Sequence, residues 1–446
     1  MDNSISNEQI ANSNDTQTRQ MKDSGVEWIG KVPCDWSIVR FKDYYKNKKE
    51  IAGEHSAEYE RLALTLNGVI KRPKDDSEGL QPKEFDTYQI LRENDFVFKM
   101  IDLQNISTSR VGLSPYTGLV SPAYIRFTSR TENQFNRFTY YYLMSMYYNC
   151  VFNSLGGDGV RSALNASDMG TLMIPFPDIS EQQTIAAYLD RKCTQIDTLI
   201  ANQQQQIEKL KAYKQSVITE TVTKGLDPDM PMKDSGVEWI GEIPVSWSIL
   251  KAAFVYDKIG DIDHYMPDSV LDGIPYIMTG DLKPIASQIN FEICKQVSTK
   301  DFKSLSKKIS ANNGDIIFAR YATIGTVCYV DIEKDFLVSY SCLIIKPNHS
   351  VLGKFLYYYY QSHTFFEEVK RVINSNTQSN VGLDAMTKVK VICPSIEEQQ
   401  QIADYLDQKC EQIDRLITIK QQKIEKIQQY KKSLIYEYVT GKKEVI

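Results

Sequence analysis

One pattern constrains this chain more than any other: a long helical run that is written twice. Leu189, Cys193, Ile196, Ile200, Gln203, Ile207, Leu210, Lys214 and Val217 fall alternately four and three residues apart. That spacing predicts a helix over residues 178–224 with one apolar seam and polar residues between. Leu406, Cys410, Ile413, Ile417, Lys420, Ile424, Ile427, Lys431 and Leu434 repeat the run at a constant offset of 217, predicting a second helix over 395–440. Both starts are marked. Pro177 precedes Asp178-x-x-Glu181 and Pro394 precedes Ser395-x-x-Glu398, capping-box patterns that satisfy first-turn N–H groups. Gly225 and Gly441 mark the ends. At about 1.5 Å per residue, helices of this length outrun the width of a small domain. They are expected to form a rod that spaces other parts rather than to fill a core.

The duplication extends beyond the helices. Residues 21–30, MKDSGVEWIG, recur unchanged at 232–241, and all four tryptophans lie in or just after these copies: Trp28, Trp36, Trp239 and Trp247. Tryptophan brings a large apolar surface and one N–H that needs a partner. Two roles fit it here, a loop stapled into each domain core or an anchor for another subunit. Residues 40–175 and 251–393 follow one plan with little identity. In the first copy, β-like runs at 62–66, 96–98 and 124–127 alternate with turn signals at 71–74, 114–116 and 121–122. An aromatic helix over 135–151, a glycine-rich loop at 156–161 and a strand into Pro175 follow. Asn94-Asp95-Phe96-Val97-Phe98 matches Gly314-Asp315-Ile316-Ile317-Phe318, and Phe138 and Tyr140 match Phe355 and Tyr357. The chain thus reads as a nearly constant frame around two diverged inserts, each doing its own version of one task.

Several chemistries are excluded by what is missing. There is no G-x-x-x-x-G-K-[ST] loop, no glycine-rich cofactor fingerprint opening a βα unit, and no Asn-Pro-Pro or Asp-Pro-Pro tetrapeptide. The four histidines, His55, His264, His349 and His363, have no metal spacing and do not repeat between halves. The eight scattered cysteines read as reduced structural thiols. A duplicated enzyme should duplicate its catalytic residues, yet Asp95/Asp315 is the one convincing repeated charge in the inserts, at a turn where Asp ordinarily stabilises the backbone. The net charge of −5 argues against a chain that coats DNA non-specifically, though not against a local basic groove. No apolar run is long enough to span a membrane. The first twenty residues, polar and without an apolar core, read as a disordered tail rather than a secretion signal. A cytoplasmic location is the expectation.

With these features together, the chain resembles the specificity subunit of type I restriction–modification enzymes. The resemblance rests on the repeated D-S-G-V-E-W-I-G-x-x-P-x-x-W, on Gly314-Asp315-Ile316-Ile317-Phe318-Ala319-Arg320, and on P-x-I-x-E-Q-Q at Pro177–Gln183 and Pro394–Gln400. It implies an α+β fold with two tandem α/β target recognition domains, separated by two long helices that pair as an antiparallel coiled coil, the whole an internal pseudo-twofold repeat. The expected boundaries are a tail over 1–20, recognition domain 1 over 21–177, helix 1 over 178–225, recognition domain 2 over 226–393, helix 2 over 394–441 and a tail over 442–446. The seam would comprise Leu189, Ile196, Gln203, Leu210, Leu406, Ile413, Lys420 and Ile427, with Gln203 and Lys420 meeting at its centre.

The resemblance further implies a non-catalytic subunit whose domains each read half of a split, asymmetric site in double-stranded DNA. It would recruit two copies of a methyltransferase together with restriction/translocase subunits. S-adenosylmethionine, ATP and Mg would be used by those partners, and this chain would hold no cofactor or metal. Candidate base-reading residues, by type and loop context, are Lys71, Arg72, Lys74, Arg110 and Arg161 in the first insert. In the second they are Lys283, Arg320, Tyr321, Asn376, Gln378 and Asn380. Tyr140–Tyr142 and Tyr357–Tyr360 have the spacing of domain core rather than of base-stacking platforms. Two other classes stay open at this point: a DNA-acting enzyme with its own centre, which activity of the chain alone would reveal, and a coiled-coil scaffold with no DNA role, which a gel shift with the partner would separate.

Overall fold

The computed structural model describes residues 19–445 apart from 67, 77–83, 102, 104–109, 133–134, 156–162 and 375–378, and it leaves the side chains of Arg110 and Asn374 undescribed. The chain divides into two units. One comprises Met1–Asn202 with Lys423–Ile446, the other Gln203–Gln422. Each unit therefore holds one insert, the beginning of the long helix that follows it and the end of the other long helix.

In the first unit, Met21–Asp23 pairs with Lys31–Pro33 in a short hairpin, and Ser37–Arg40 pairs with Met173–Phe176. A four-stranded antiparallel sheet runs in the order Tyr45–Asn47, Ile125–Ser129, Phe96–Lys99, Arg110–Leu113. A second sheet runs Gly68–Arg72, Arg61–Thr65, Gly118–Val120, Gln89–Leu91, with one parallel pair at its middle. Lys71 and Arg72 thus end a strand; the turn expected to begin at Lys71 starts only at Pro73, where a missing N–H ends the ladder. The aromatic helix is Asn136–Tyr148 and stops short of the expected Val151. Cys150 takes a left-handed φ of 58°, and a separate helical turn, Val151–Leu155, follows.

The second unit repeats the plan. Its hairpin is Met232–Asp234 with Glu242–Pro244, and Ser248–Lys251 pairs with Lys390–Cys393. Its antiparallel sheet is ordered Tyr256–Gly260, Cys342–Pro347, Ile316–Ala319, Val327–Tyr329, the same order as in the first unit. Its smaller sheet has three strands, Lys295–Val297, Ile274–Ile277 and Leu337–Val338, again with one parallel pair. Asn94 and Gly314, which differ in sequence, share one turn: both are left-handed, at φ 63° and 92°. Asparagine is among the few side chains that tolerate this region.

The long helices are Ile179–Lys224 and Ile396–Val439, 46 and 44 residues, roughly 65–70 Å each. In the first unit Tyr188 packs on Tyr438 and Asp197 takes the Lys431 ammonium at 2.6 Å, so the helices run antiparallel. In the second unit Gln206 meets Lys420 and Lys214 meets Asp414 at 2.7 Å, again antiparallel. Leu189, Cys193, Ile196, Leu406, Cys410 and Ile413 are buried as the seam requires, while Gln203, Leu210, Lys420 and Ile427 are half-buried. One expectation is corrected. Lys420 donates to Gln206, not to Gln203. The reason lies in the charges: Asp197–Lys431 and Lys214–Asp414 are the same ion pair with its helices exchanged, and the midpoint of that exchange is Gln205–Gln206 rather than Gln203.

The helix starts differ in one detail. Ser395 and Glu398 form the reciprocal capping box, each accepting the other's backbone N–H. In the first copy Asp178 accepts from the Glu181 N–H at 2.9 Å, but the Glu181 carboxylate turns away to Arg19 and the Trp36 indole. Of the expected tail, residues 1–18 lie outside the described residues.

Candidate nucleic-acid interface

The frame fixes where each insert presents its loops, and its contacts recur residue for residue. The Trp36 indole N–H donates to Glu181 at 2.8 Å and that of Trp247 donates to Glu398 at 3.0 Å. Tyr141 donates to Asp190 and Tyr358 to Asp407, both at 2.6 Å, one residue beyond the seam positions Leu189 and Leu406. Tyr142 donates to the Met173 carbonyl and Tyr359 to that of Lys390, both at 2.9 Å. Burial pushes the Tyr142 and Tyr359 hydroxyls well above the ordinary tyrosine value, so they remain donors at any working pH. The tyrosine runs therefore join domain to helix. Trp36 and Trp247 are buried within their units, whereas Trp28 and Trp239 are half-buried. Trp28 donates to Tyr142, and Arg371 stacks over Trp239.

The ends of the helices close the frame. Gly225 ends the first helix against Trp247, and Gly441 ends the second against Pro33 and Trp36. Each helix begins on its own insert's frame tryptophan and ends on the other copy's. This exchange was not legible in the motifs, although the equal spacing of tryptophans and glycines carried its signal.

Behind the loops, each main sheet is pinned by buried ions. Asp95 accepts the Arg92 N–H at 2.8 Å and pairs with Arg126 at 2.6 Å; Asp315 accepts the Asn312 N–H at 2.7 Å and pairs with Lys346. The repeated aspartate is thus a turn and sheet residue in both copies. A second repeated carboxylate escaped the sequence reading. Glu50 takes Arg92 and Arg126, and its counterpart Asp261 takes Arg320, Lys308 and His264. Arg92 and Arg126 hold the Glu50 carboxyl down to about 2 although burial opposes them. The signal that could have found this pair is its position, five residues after Tyr45 and Tyr256, which begin the corresponding strands of the two sheets.

The candidate readers fall into three groups. Lys71 is exposed, paired with Glu60 at 2.6 Å and stacked on Tyr116; Arg72 pairs with Asp76; Lys74 donates to the Ser56 carbonyl over Phe85. Lys283 is exposed. Arg320, by contrast, is 8% exposed and bound to Asp261 at 2.6 Å, and it stacks on Tyr321. Tyr321 and Asn380 are brought together by an isolated antiparallel bridge. Arg110 stands in a strand opposite Lys99, and Arg161, Asn376 and Gln378 lie outside the described residues. Among the described residues no group of three His, Cys, Asp or Glu comes together to hold a metal ion, and no helix is long and apolar enough to cross a membrane.

Comparison with known proteins agrees with this architecture. The profile of the type I restriction modification DNA specificity domain matches twice, over residues 39–209 and 269–429. The MjaVIII type I restriction enzyme specificity subunit of Methanocaldococcus jannaschii is 24% identical over 431 residues, covering 92% of this chain and 94% of that protein. The EcoBI type I restriction enzyme specificity subunit of Escherichia coli is 22% identical, covering 62% of this chain and 59% of that protein. A solved chain described under complex assembly and conformational transition of the type I R-M system superposes with a TM-score of 0.64 at 15% identity, covering 92% of this chain and 98% of that one, a likeness of fold. Since the domain profile accounts for the first insert, most of the second and much of both long helices, the chain belongs to the type I restriction–modification DNA specificity family, whose subunits are not themselves catalysts.

Proposed function

We propose that the two copies are independent readers, the first within residues 21–177 and the second within 226–393, each recognising one half of a bipartite duplex site. The observation that carries this reading is the contrast between frame and loops. Trp36–Glu181 and Trp247–Glu398, Tyr142–Met173 and Tyr359–Lys390 keep one geometry, while the loops they support differ in length and residue type. Two unlike readers imply two unlike half-sites and hence an asymmetric sequence. Loops entering the major groove can distinguish all four base pairs.

The partners follow the same duplication. Ile179, Leu199 and Tyr430 of the first unit are exposed, and so are their counterparts Ile396, Leu416 and Tyr213 in the second. Single exposed apolar residues need no explanation, but one set written twice supports two equivalent docking partners. These are two copies of an adenine methyltransferase subunit, with restriction/translocase subunits joining them. The partners bring S-adenosylmethionine, ATP and Mg, and the complex works in the cytoplasm.

The test is a replacement of residues 40–175 by another insert of the family, followed by methylation mapping in cells that carry the partner methyltransferase. One half-site changes and the other stays. A change in both half-sites would sink the two-reader reading.

A further inference from the structure

In the main sheet of the second unit, residues 320–326 connect an inner strand to the edge strand beside it. They join Ile316–Ala319 to Val327–Tyr329. Ala322 sits at φ 55° and Gly325 at φ 91°. A left-handed alanine is strained and persists only where its surroundings hold it. Here they do. The Arg320 carbonyl accepts the Val381 N–H at 3.1 Å, Tyr321 is bridged to Asn380, the Gly325 N–H donates to the Ala319 carbonyl, and Gly325 lies against the Phe366 ring. Underneath, the buried Arg320 guanidinium is tied to Asp261, which also holds Lys308. What remains exposed at the tip is Ala322 and Thr323.

The first copy shows which of these features belong to the frame. There the Met100 carbonyl accepts the Leu164 N–H at 3.1 Å and Ile101 is bridged to Ala163. These are the counterparts of the Arg320–Val381 and Tyr321–Asn380 contacts. The backbone anchor is therefore common to both copies. The tip is not: residues 100–109 connect the strands in the first copy, three more than 320–326. The side chain beneath it differs too, buried Met100 against buried Arg320. A constant anchor under a tip that varies in length and chemistry is what a specificity element requires.

We propose that the Ala322–Thr323 tip reads base edges in the half-site of the second copy, and that Arg320 is a positioning residue rather than a base contact. This rests on the two-reader reading above. The tip offers two methyl groups and one hydroxyl, a surface that suits the C5-methyl of thymine in an A·T pair. Its backbone is fixed before DNA arrives, so little ordering is left to pay on binding. The Arg320–Asp261 pair holds the tip at the height the groove requires.

The experiment uses the full chain with its methyltransferase and maps methylation genome-wide. The half-site of the second copy is the one that survives replacement of residues 40–175. Thr323→Ser and Ala322→Gly, each of which removes one methyl group, relax discrimination at one A·T pair of that half-site by about tenfold, and leave the other half-site as it was. Arg320→Met relaxes the same pair, and Arg320→Lys restores it; a purely structural role would lower melting temperature without altering base preference. Unchanged base preference in Thr323→Ser and Ala322→Gly, or relaxation at a G·C pair or in the other half-site, overturns the proposal. A wild-type map without a bipartite motif overturns the two-reader reading itself.

Discussion

The first and second units solve one problem with different ions, and the comparison shows what the duplication holds constant. Each needs a carboxylate at the turn before its central strand and a cation beside it. In the first unit that cation is Arg126, 1% exposed, shared between Asp95 and Glu50. In the second the work is divided: Lys346, 19% exposed, serves Asp315, and Arg320 serves Asp261. The carboxylates kept their places while the cations moved. The turn fixes the acid through backbone N–H groups, whereas a cation can reach it from several strands. The second arrangement leaves a guanidinium under the 320–326 connection, where the first copy has methionine.

The largest predicted difference lies in these cations. Arg126→Leu leaves the buried Asp95 without its cation and Glu50 with Arg92 alone, and should cost about 3–5 kcal/mol. Lys346→Leu strands one buried carboxylate, Asp315, which keeps the Asn312 N–H and lies beside a cation site 19% exposed to solvent; a loss of about 1–2 kcal/mol is expected. Denaturant unfolding of the two variants measures the pair; equal losses would show that the units do not differ as described.

The helix ends give the next contrast. A Cβ on Gly441 would stand 2.3 Å from Pro33, against 3.2 Å from Trp247 for one on Gly225, and both glycines are left-handed. Gly441→Ala should therefore cost about 3 kcal/mol, with overpacking added to backbone strain, and Gly225→Ala about 1 kcal/mol. Thermal melts that rank the two the other way would contradict the close join of the second helix to the first frame.

Much of this was legible in the sequence, for physical reasons. The long helices announced themselves because a 3.5-residue repeat over many turns is hard to produce otherwise; Leu189, Ile196, Leu406 and Ile413 are buried as the spacing requires. The turn at Asp95 and Asp315 was readable because its chemistry is local. The centre of the seam was not: polar Gln203 and Lys420 looked like partners, but Lys420 meets Gln206, and this register, seen also in Asp197–Lys431 and Lys214–Asp414, depends on how two distant segments align. The burial of Arg320 was hidden for the same reason, since Asp261 lies 59 residues before it. Lys71 and Arg72 were misplaced because Pro73 marks the end of a strand as readily as the middle of a turn.

The smallest of these contrasts concerns pH. Arg92 and Arg126 hold Glu50 down to about 2, below its ordinary value near 4.5. A carboxyl depressed on folding stabilises the folded state above its unfolded value, and that contribution is lost as pH falls from about 4.5 towards 2. After allowance for its partial exposure, the loss should be about 1–2 kcal/mol. Glu50→Gln removes that part of the acid dependence, and unfolding curves at pH 5 and pH 3 would read it as a smaller difference than in the wild type.

The expectation that the long helices act as a rod spacing two readers is tested most directly by lengthening them. One heptad inserted into both helices at symmetric points, midway between the exchanged ion pairs after Gln205 and after Gln422, adds roughly 10 Å of helix. That is close to three base pairs at about 3.4 Å each. Three base pairs also turn the groove by about 100°, while seven residues keep nearly the same helix face, so binding should weaken as domains or DNA twist to compensate. Methylation mapping of the double insertion is predicted to show both half-sites unchanged and the unread spacer longer by about three base pairs. An active variant that keeps the original spacer would contradict the account.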